Sequence, residues 1–211
     1  MIDRIRIFAL IFAGVATFSC SSGTSVSNSN GAVKTGTTPV ADSEIAVIEM
    51  EKSEAFGTMK IELYSNIAPK MVERFKQLAA EGYFDGIEFH RVNQTVIQAG
   101  NADTKPGRTP NPMKEGDSGK PNVPAEFSDV PYDVGIVGAA RLGNDINSAN
   151  SQFFITLRRT PDFDKKYTVF GRVFEGMNHA RTISGVTPKN GERPAEPVRI
   201  KTIRIVPRDS Q

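Results

Sequence analysis

From residue 44 onward the apolar positions fall into short runs that change period along the chain. Residues 45–50 are nearly all apolar. Residues 57–64 alternate, with Met59, Ile61 and Leu63 on one side and Thr58, Lys60 and Glu62 on the other. A period of two is that of a half-buried strand, so the two runs read as strands joined through residues 52–56 as a hairpin. The period then shifts. Asn66 can cap a helix, Pro69 falls in its first turn, Val72, Phe75, Leu78 and Ala79 share one face, and Gly82 ends it, which predicts a helix over 66–82. Strand-like pieces follow at 86–92, 95–99, 134–140, 152–157, 167–174 and 197–206. A second helix fits 176–184, with Met177, Ala180 and Ile183 spaced three apart and Gly185 behind them. Many short strands, two helices and Gly/Pro-rich connections do not suit an alternating parallel sheet. They suit a mainly β fold, a closed antiparallel barrel with a helix over each end. Residues 101–124 carry no period and several Pro and Gly; a loop of that length tends to be functional.

The first 43 residues follow different rules. Arg4 and Arg6 precede an apolar run from Ile7 to Phe18, which meets Ser19-Cys20. At about 12 residues the run is too short to span a bilayer, which needs ~20, and it reads as a secretory signal. Cys20 stands where lipoprotein signals place the residue that is lipidated. A plain cleaved signal with an incidental cysteine is the alternative. From Ser21 to Asp42 the chain is rich in Ser, Gly, Thr and Asn and reads as a flexible tether. The expected division is a signal over 1–19, a lipidated Cys20 with a polar linker over 20–43, and a folded domain over 44–211. The expected address is a bacterial cell envelope, lipid-anchored and facing the periplasm.

Composition narrows the function by exclusion. A net charge of +2 with 24% charged residues gives no reason to expect a nucleic-acid partner. Cys20 is the single cysteine, so no intrachain disulfide can form, and the two histidines, His90 and His179, are far apart, which disfavours a zinc site. No metal and no cofactor are expected.

Three segments carry the chemistry. They are Phe89-His90-Arg91-Val92 with Ile97-Gln98-Ala99-Gly100; Gly135-Ile136-Val137-Gly138-Ala139-Ala140-Arg141 leading into Asn150-Ser151-Gln152-Phe153-Phe154-Ile155; and Tyr167-Thr168-Val169-Phe170-Gly171-Arg172-Val173. In order and spacing, with Pro124-Ala125-Glu126-Phe127 between them, they resemble the cyclophilin-type peptidyl-prolyl cis/trans isomerases from residue 44 to residue 208. The resemblance implies an eight-stranded antiparallel barrel capped by two helices, with a proline site on its outer face. It also implies that Pro-containing polypeptide segments are the partners and that the chain acts as a monomer assisting exported proteins to fold. A cyclophilin-fold chaperone or Pro-peptide-binding module with little catalysis is the alternative.

Rotation about an X-Pro bond breaks nothing, but it must cross a barrier of ~18–20 kcal/mol set by amide resonance. A gain of ~10⁵ in rate requires about 7 kcal/mol of preference for the twisted amide over the flat one. Arg91 has the permanent charge and rigid fork of donors for that task, aimed at the lone pair that localises on the proline nitrogen. In isolation it could equally be a surface arginine. Gln98 and Gln152 can hold Arg91 and the substrate carbonyl, or be satisfied by nearby backbone. Phe153 and Phe154 are adjacent on a strand and face opposite sides, so one of them is core; the resemblance assigns Phe153 to the barrel interior and Phe154 to the pocket, where it would wall the pyrrolidine ring with Val96 and Phe163. The resemblance assigns backbone donors around Ala140 and Arg141 to the residue before proline, and Tyr167 to a position where histidine is common. His90 reads as a hydrogen-bonded structural histidine, and His179, Arg158-Arg159 and Lys165-Lys166 as solvated groups.

Three departures stand out. The Arg91–Gln98 interval is one residue shorter than the family pattern and lacks its usual phenylalanine, so Thr95 or Val96 must supply that wall. No tryptophan is present and Asp162 falls near its usual place, which predicts weak cyclosporin sensitivity. The loop from Leu142 to Ala149 is slightly long.

Overall fold

The computed structural model describes residues 31–109 and 117–210. The expected signal segment, Cys20 and the middle of the long loop lie outside the described residues. In chain order the strands are β1 (Val33–Lys34), β2 (Glu44–Met50), β3 (Thr58–Leu63), β4 (Arg91–Val92), β5 (Val96–Ala99), β6 (Phe127–Ser128), β7 (Ile136–Ala139), β8 (Phe153–Thr156), β9 (Val169–Glu175), β10 (Pro188–Asn190), β11 (Arg193–Pro194) and β12 (Ile200–Pro207). The helices are α1 (Ser53–Phe56), α2 (Pro69–Ala80) and α3 (Met177–Ser184).

Eight strands form one antiparallel sheet in the order β12-β2-β3-β9-β7-β8-β5-β4. It curls, as a twisted sheet of this size must, but the closed barrel expected from the sequence is corrected to a barrel left open at one seam. Between β4 and β12 there is no continuous ladder. A single bridge joins Glu88 to Arg199, and backbone bonds run from Gly86 N–H to the Ile200 carbonyl (2.9 Å), from Ile200 N–H to Ile87 (2.9 Å) and from Phe89 N–H to Val198 (2.9 Å). Residues 86–89 therefore cross the seam instead of extending β4, which shortens the strand expected at 86–92 to Arg91–Val92. The free edge of β4 is covered by the β10–β11 turn, whose Glu192 carbonyl accepts from Val92 N–H (2.7 Å). Covering an edge with a loop is a standard way to protect it.

Alternation decides what each face buries. On β8, Phe153 and Ile155 point into the main core, with Phe75, Phe84, Phe89 and Phe170. The Phe75 ring sits 5.4 Å edge-on to Phe153 and 5.3 Å from Phe170; fully burying such a side chain is worth about 1.5–3 kcal/mol. α2 contributes Met71, Val72, Phe75, Leu78 and Ala79, the predicted face plus one residue. α3 buries Ala180 and Ile183, with Met177 half-buried against them. The expected two helices become three, because the β2–β3 connection contains the one-turn α1.

Two local expectations are corrected. Asn66 does not cap α2: its Oδ1 accepts from Val40 N–H (3.0 Å) and its Nδ2 donates to the Thr38 carbonyl (2.9 Å). The free amides of α2 are met from a distant part of the chain, where the Glu126 carboxylate accepts from Lys70 N–H (3.2 Å) and Met71 N–H (3.0 Å). An anion at a helix N-terminus is stabilised there, and this gives the 124–127 motif a physical purpose. The second correction concerns the expected tether. Residues 31–42 lie on the domain: β1 pairs parallel with β6, Lys34 Nζ donates to the Ile67 carbonyl (2.7 Å), and Asp42 accepts from Ser65 Oγ (2.6 Å) and Lys76 Nζ (3.0 Å). These bonds hold a segment whose composition alone offered too little apolar surface to order it.

Candidate active site

The register of β4, β5, β8 and β7 builds the site. Arg91 pairs opposite Gln98, Gln98 opposite Phe154, and Phe154 opposite Gly138. Residues directly opposite in an antiparallel sheet project to the same face, so these positions make one row across four strands. Gln152 and Val96 join that face two residues along, and Gln98 Nε2 donates to Gln152 Oε1 (3.0 Å).

Behind the row lies a second apolar cluster, separate from the main core. It contains Tyr64, Ile67, Val96, Tyr132, Ile136, Phe154 and Val169, with Phe163, Tyr167 and Ala140 packed on it. Val96 is buried in the same cluster as Phe154, on the face where the family's usual phenylalanine is missing. The Phe154 ring meets Phe163 at 5.4 Å and Tyr167 at 5.6 Å, both edge-on, and stacks on Tyr132 at 5.7 Å. Gly138 is needed beneath it: a Cβ there would stand 2.4 Å from Phe154 Cζ and 2.6 Å from the Tyr132 hydroxyl. That hydroxyl is fully buried without a hydrogen-bond partner among the described residues. Burial pushes its ionisation far above the ordinary range, so it stays protonated.

The loops around the pocket are tied by charge. Asp164 accepts from Tyr132 N–H (2.8 Å) and from both terminal nitrogens of Arg159, which also reaches Asp133 (3.2 Å). The Arg159 hydrogen bond holds the Asp164 carboxyl below its usual value. Arg159, expected to be solvated, is thus part of the frame that sets Phe163 beside Tyr132. Arg141 donates to the carbonyls of Leu142 (2.8 Å) and Lys166 (3.1 Å), and its guanidinium lies 4.7 Å over the Tyr167 ring. One expected donor is spent: Ala140 N–H bonds the Gln152 carbonyl (2.9 Å), so Ala140 can meet a ligand through its own carbonyl and not through its amide.

Arg91 is held by a residue that no motif or period singles out. Its Nε donates to Glu192, from the turn between β10 and β11. His90 turns the other way; burial lowers its pKa, and its Nδ1 is buried without a partner among the described residues. It is therefore neutral at neutral pH, and its placement does not serve as a base for this face. His179 is not simply solvated, since its ring lies against the backbone of Gly57.

The family model for cyclophilin type peptidyl-prolyl cis-trans isomerases matches residues 47–205. The chain belongs to this family. Its activity is that of the family, cis-trans isomerisation of peptidyl-prolyl bonds. Among related proteins, the peptidyl-prolyl cis-trans isomerase ppi1 of Schizosaccharomyces pombe is 36% identical over 156 residues, covering 74% of this chain and 96% of the relative. A Brucella suis protein named "Probable peptidyl-prolyl cis-trans isomerase" is 40% identical over 173 residues, covering 79% of this chain and 84% of the relative. A Cryptosporidium parvum cyclophilin type isomerase, solved in the presence of the dipeptide Ala-Pro, superposes with a TM-score of 0.65 at 25% identity, over 77% of this chain and 98% of that one. The family match runs from within β2 to within β12 and includes all three helices and β4, β5, β7 and β8, so the site row sits inside the shared fold.

Proposed function

We propose that this cyclophilin turns Xaa-Pro bonds by seating the proline ring against Phe154 and offering the Arg91 guanidinium to the nitrogen of the twisting amide. The observation that carries this is the single cross-strand row, which sets a permanent cation at one end, an aromatic wall at the other, and the Gln98–Gln152 pair along the same face. In the flat ground state the amide nitrogen is a poor acceptor. As the C–N bond turns, its lone pair localises and can accept from Arg91, an interaction that exists only near the transition state and therefore lowers the barrier. Gln98 and Gln152 orient the carbonyl before the proline. Val96, Phe163 and Tyr167 complete the apolar slot, and the backbone at Ala140 and Arg141 receives the preceding residue. An Ala-Pro unit, the dipeptide in whose presence the cyclophilin neighbour was solved, is the minimal substrate. Asp162, exposed on the rim, supports weak cyclosporin sensitivity.

Phe154→Ala tests the slot. Cis/trans exchange of an Ala-Pro peptide, followed by NMR across substrate concentrations, is expected to show KM raised about tenfold or more, since truncating a buried aromatic contact removes 1.4 kcal/mol or more of binding, roughly a factor of ten. An unaltered KM would remove Phe154 from the binding site.

The domain further serves exported polypeptides as a monomer tethered to a bacterial envelope membrane through lipid on Cys20. The basic, short apolar run ending at Ser19-Cys20 supports this reading. Cys20→Ser is expected to move the protein from membrane to soluble fractions and to remove a lipid mass from the mature N-terminus. Unchanged fractionation with no lipid mass on the wild type would reject the anchor.

A further inference from the structure

Arg91 stands at the sheet edge with its side chain 43% exposed. An arginine in that position ordinarily samples many rotamers, and a donor that must meet a lone pair in one orientation cannot do so. The geometry points to Glu192 as a positioning residue: by accepting the Nε–H of Arg91 it fixes the plane of the guanidinium and turns the terminal nitrogens toward the proline amide. This rests on the role of Arg91 given above and adds to it the group that makes the role possible.

Glu192 is itself held from several sides. One carboxylate oxygen takes Arg91 Nε and the other takes Asn93 Nδ2, so two residues of the same short hairpin share one anion. Asn93 is in turn locked, because its Oδ1 accepts from Thr95 N–H (2.7 Å) and Val96 N–H (2.8 Å). The Glu192 carbonyl accepts from Val92 N–H (2.7 Å), and the next residue, Arg193, reaches the Glu88 carboxylate (2.9 Å). Among the described residues the Arg91 side chain makes no other hydrogen bond, so its two terminal nitrogens are available. An exposed ion pair contributes little to folding; a set of ties converging on one surface carboxylate makes sense for orientation. The Arg91 hydrogen bond also holds the Glu192 carboxyl below its ordinary value, so it stays charged throughout the neutral range.

Charge and position predict opposite signs, which makes the inference testable. A nearby carboxylate weakens the positive potential of Arg91, so if charge alone mattered, removing it would speed the reaction. If position matters, removing it slows the reaction. In the full chain, Glu192→Ala, which removes charge and acceptor together, is expected to lower kcat for an Ala-Pro peptide about tenfold, the scale of cost for a misaligned reacting group, with KM changed less than twofold. The Arg91 Nε–H cross-peak is expected to be resolved and slow to exchange in the wild type and to vanish in the variant. Asn93→Ala, which frees one side of the carboxylate, serves as the milder second variant and should lower kcat about threefold on the same reasoning. Arg91→Ala/Glu192→Ala should be no slower than Arg91→Ala alone. A folded Glu192→Ala or Asn93→Ala with unchanged or faster kcat, beside an inactive Arg91→Ala, would overturn the role of Glu192 and leave that of Arg91 standing. Full activity in Arg91→Ala would overturn the role of Arg91 itself.

Discussion

Arg91→Ala is expected to reduce kcat/KM for Xaa-Pro rotation by about 10²–10³-fold, the usual cost of deleting one donor aimed at developing charge. The thermal midpoint should move by no more than about 2 °C, because surface substitutions rarely exceed ~0.5 kcal/mol. The two halves of the expectation come from the same structure. Arg91 is half exposed and its ion pair with Glu192 is equally exposed, so the fold has little to lose. The interaction with substrate, by contrast, forms as the amide twists. An interaction made only in the transition state lowers kcat and kcat/KM together and leaves KM nearly unchanged. NMR exchange at several peptide concentrations separates these cases. A variant that binds the peptide as before but no longer accelerates it fits the mechanism. A variant as fast as a catalysing wild type would take Arg91 out of the chemical step, and only an uncatalysed rate in both would return the fold to the role of a proline-binding chaperone.

The sequence made the repeating parts of this molecule legible because they obey local rules. A period of two at residues 57–64 and the spacing of Val72, Phe75, Leu78 and Ala79 each report one buried face, and adjacency put Phe153 and Phe154 on opposite faces, while the family resemblance said which of them was core. What escaped was everything that depends on partners distant in the chain. Glu126 caps a helix more than 50 residues away. Glu192 reaches Arg91 across 101 positions. Neither leaves a period in its own neighbourhood: Glu126 stood only within the 124–127 motif, with nothing to tie it to the helix, and Glu192 is a lone carboxylate in a polar stretch. Tyr132 was missed for a similar reason, since an isolated tyrosine between Pro131 and Asp133 has no period to declare it buried. The closed barrel failed at the level of register. Eight strand-like runs say how many edges must pair, but not that Gly86 to Phe89 would spend its backbone bonds across the seam as a bridge and leave β4 two residues long.

That seam depends on one buried carboxylate, and Glu88→Ala should show how much. Glu88 is 3% exposed. It accepts from Arg199 Nη2 (2.7 Å) and Arg193 Nη2 (2.9 Å), while Arg199 Nη1 also donates to the carbonyls of Gly86 (2.7 Å) and Thr104 (2.8 Å). The cluster sits on the Glu88–Arg199 bridge that closes the curl of the sheet. Two charges brought together in the interior gain little over an apolar pair, because both lost their water. Removing one is different: it leaves Arg199, largely buried, with no counter-charge, and such truncations cost about 3–5 kcal/mol. Arg193 is 57% exposed and can turn to solvent, so its share is small. In thermal unfolding the loss should appear as a midpoint lowered by about 6–20 °C for a domain of this size. The variant should also lose some isomerase activity while still folded, because Arg91 lies three residues along the same segment and its partner turn is tied to Glu88 through Arg193. A midpoint within about 2 °C of the wild type would mean that the backbone bonds across the seam suffice to hold the sheet curled, and that the carboxylate only decorates a contact made without it.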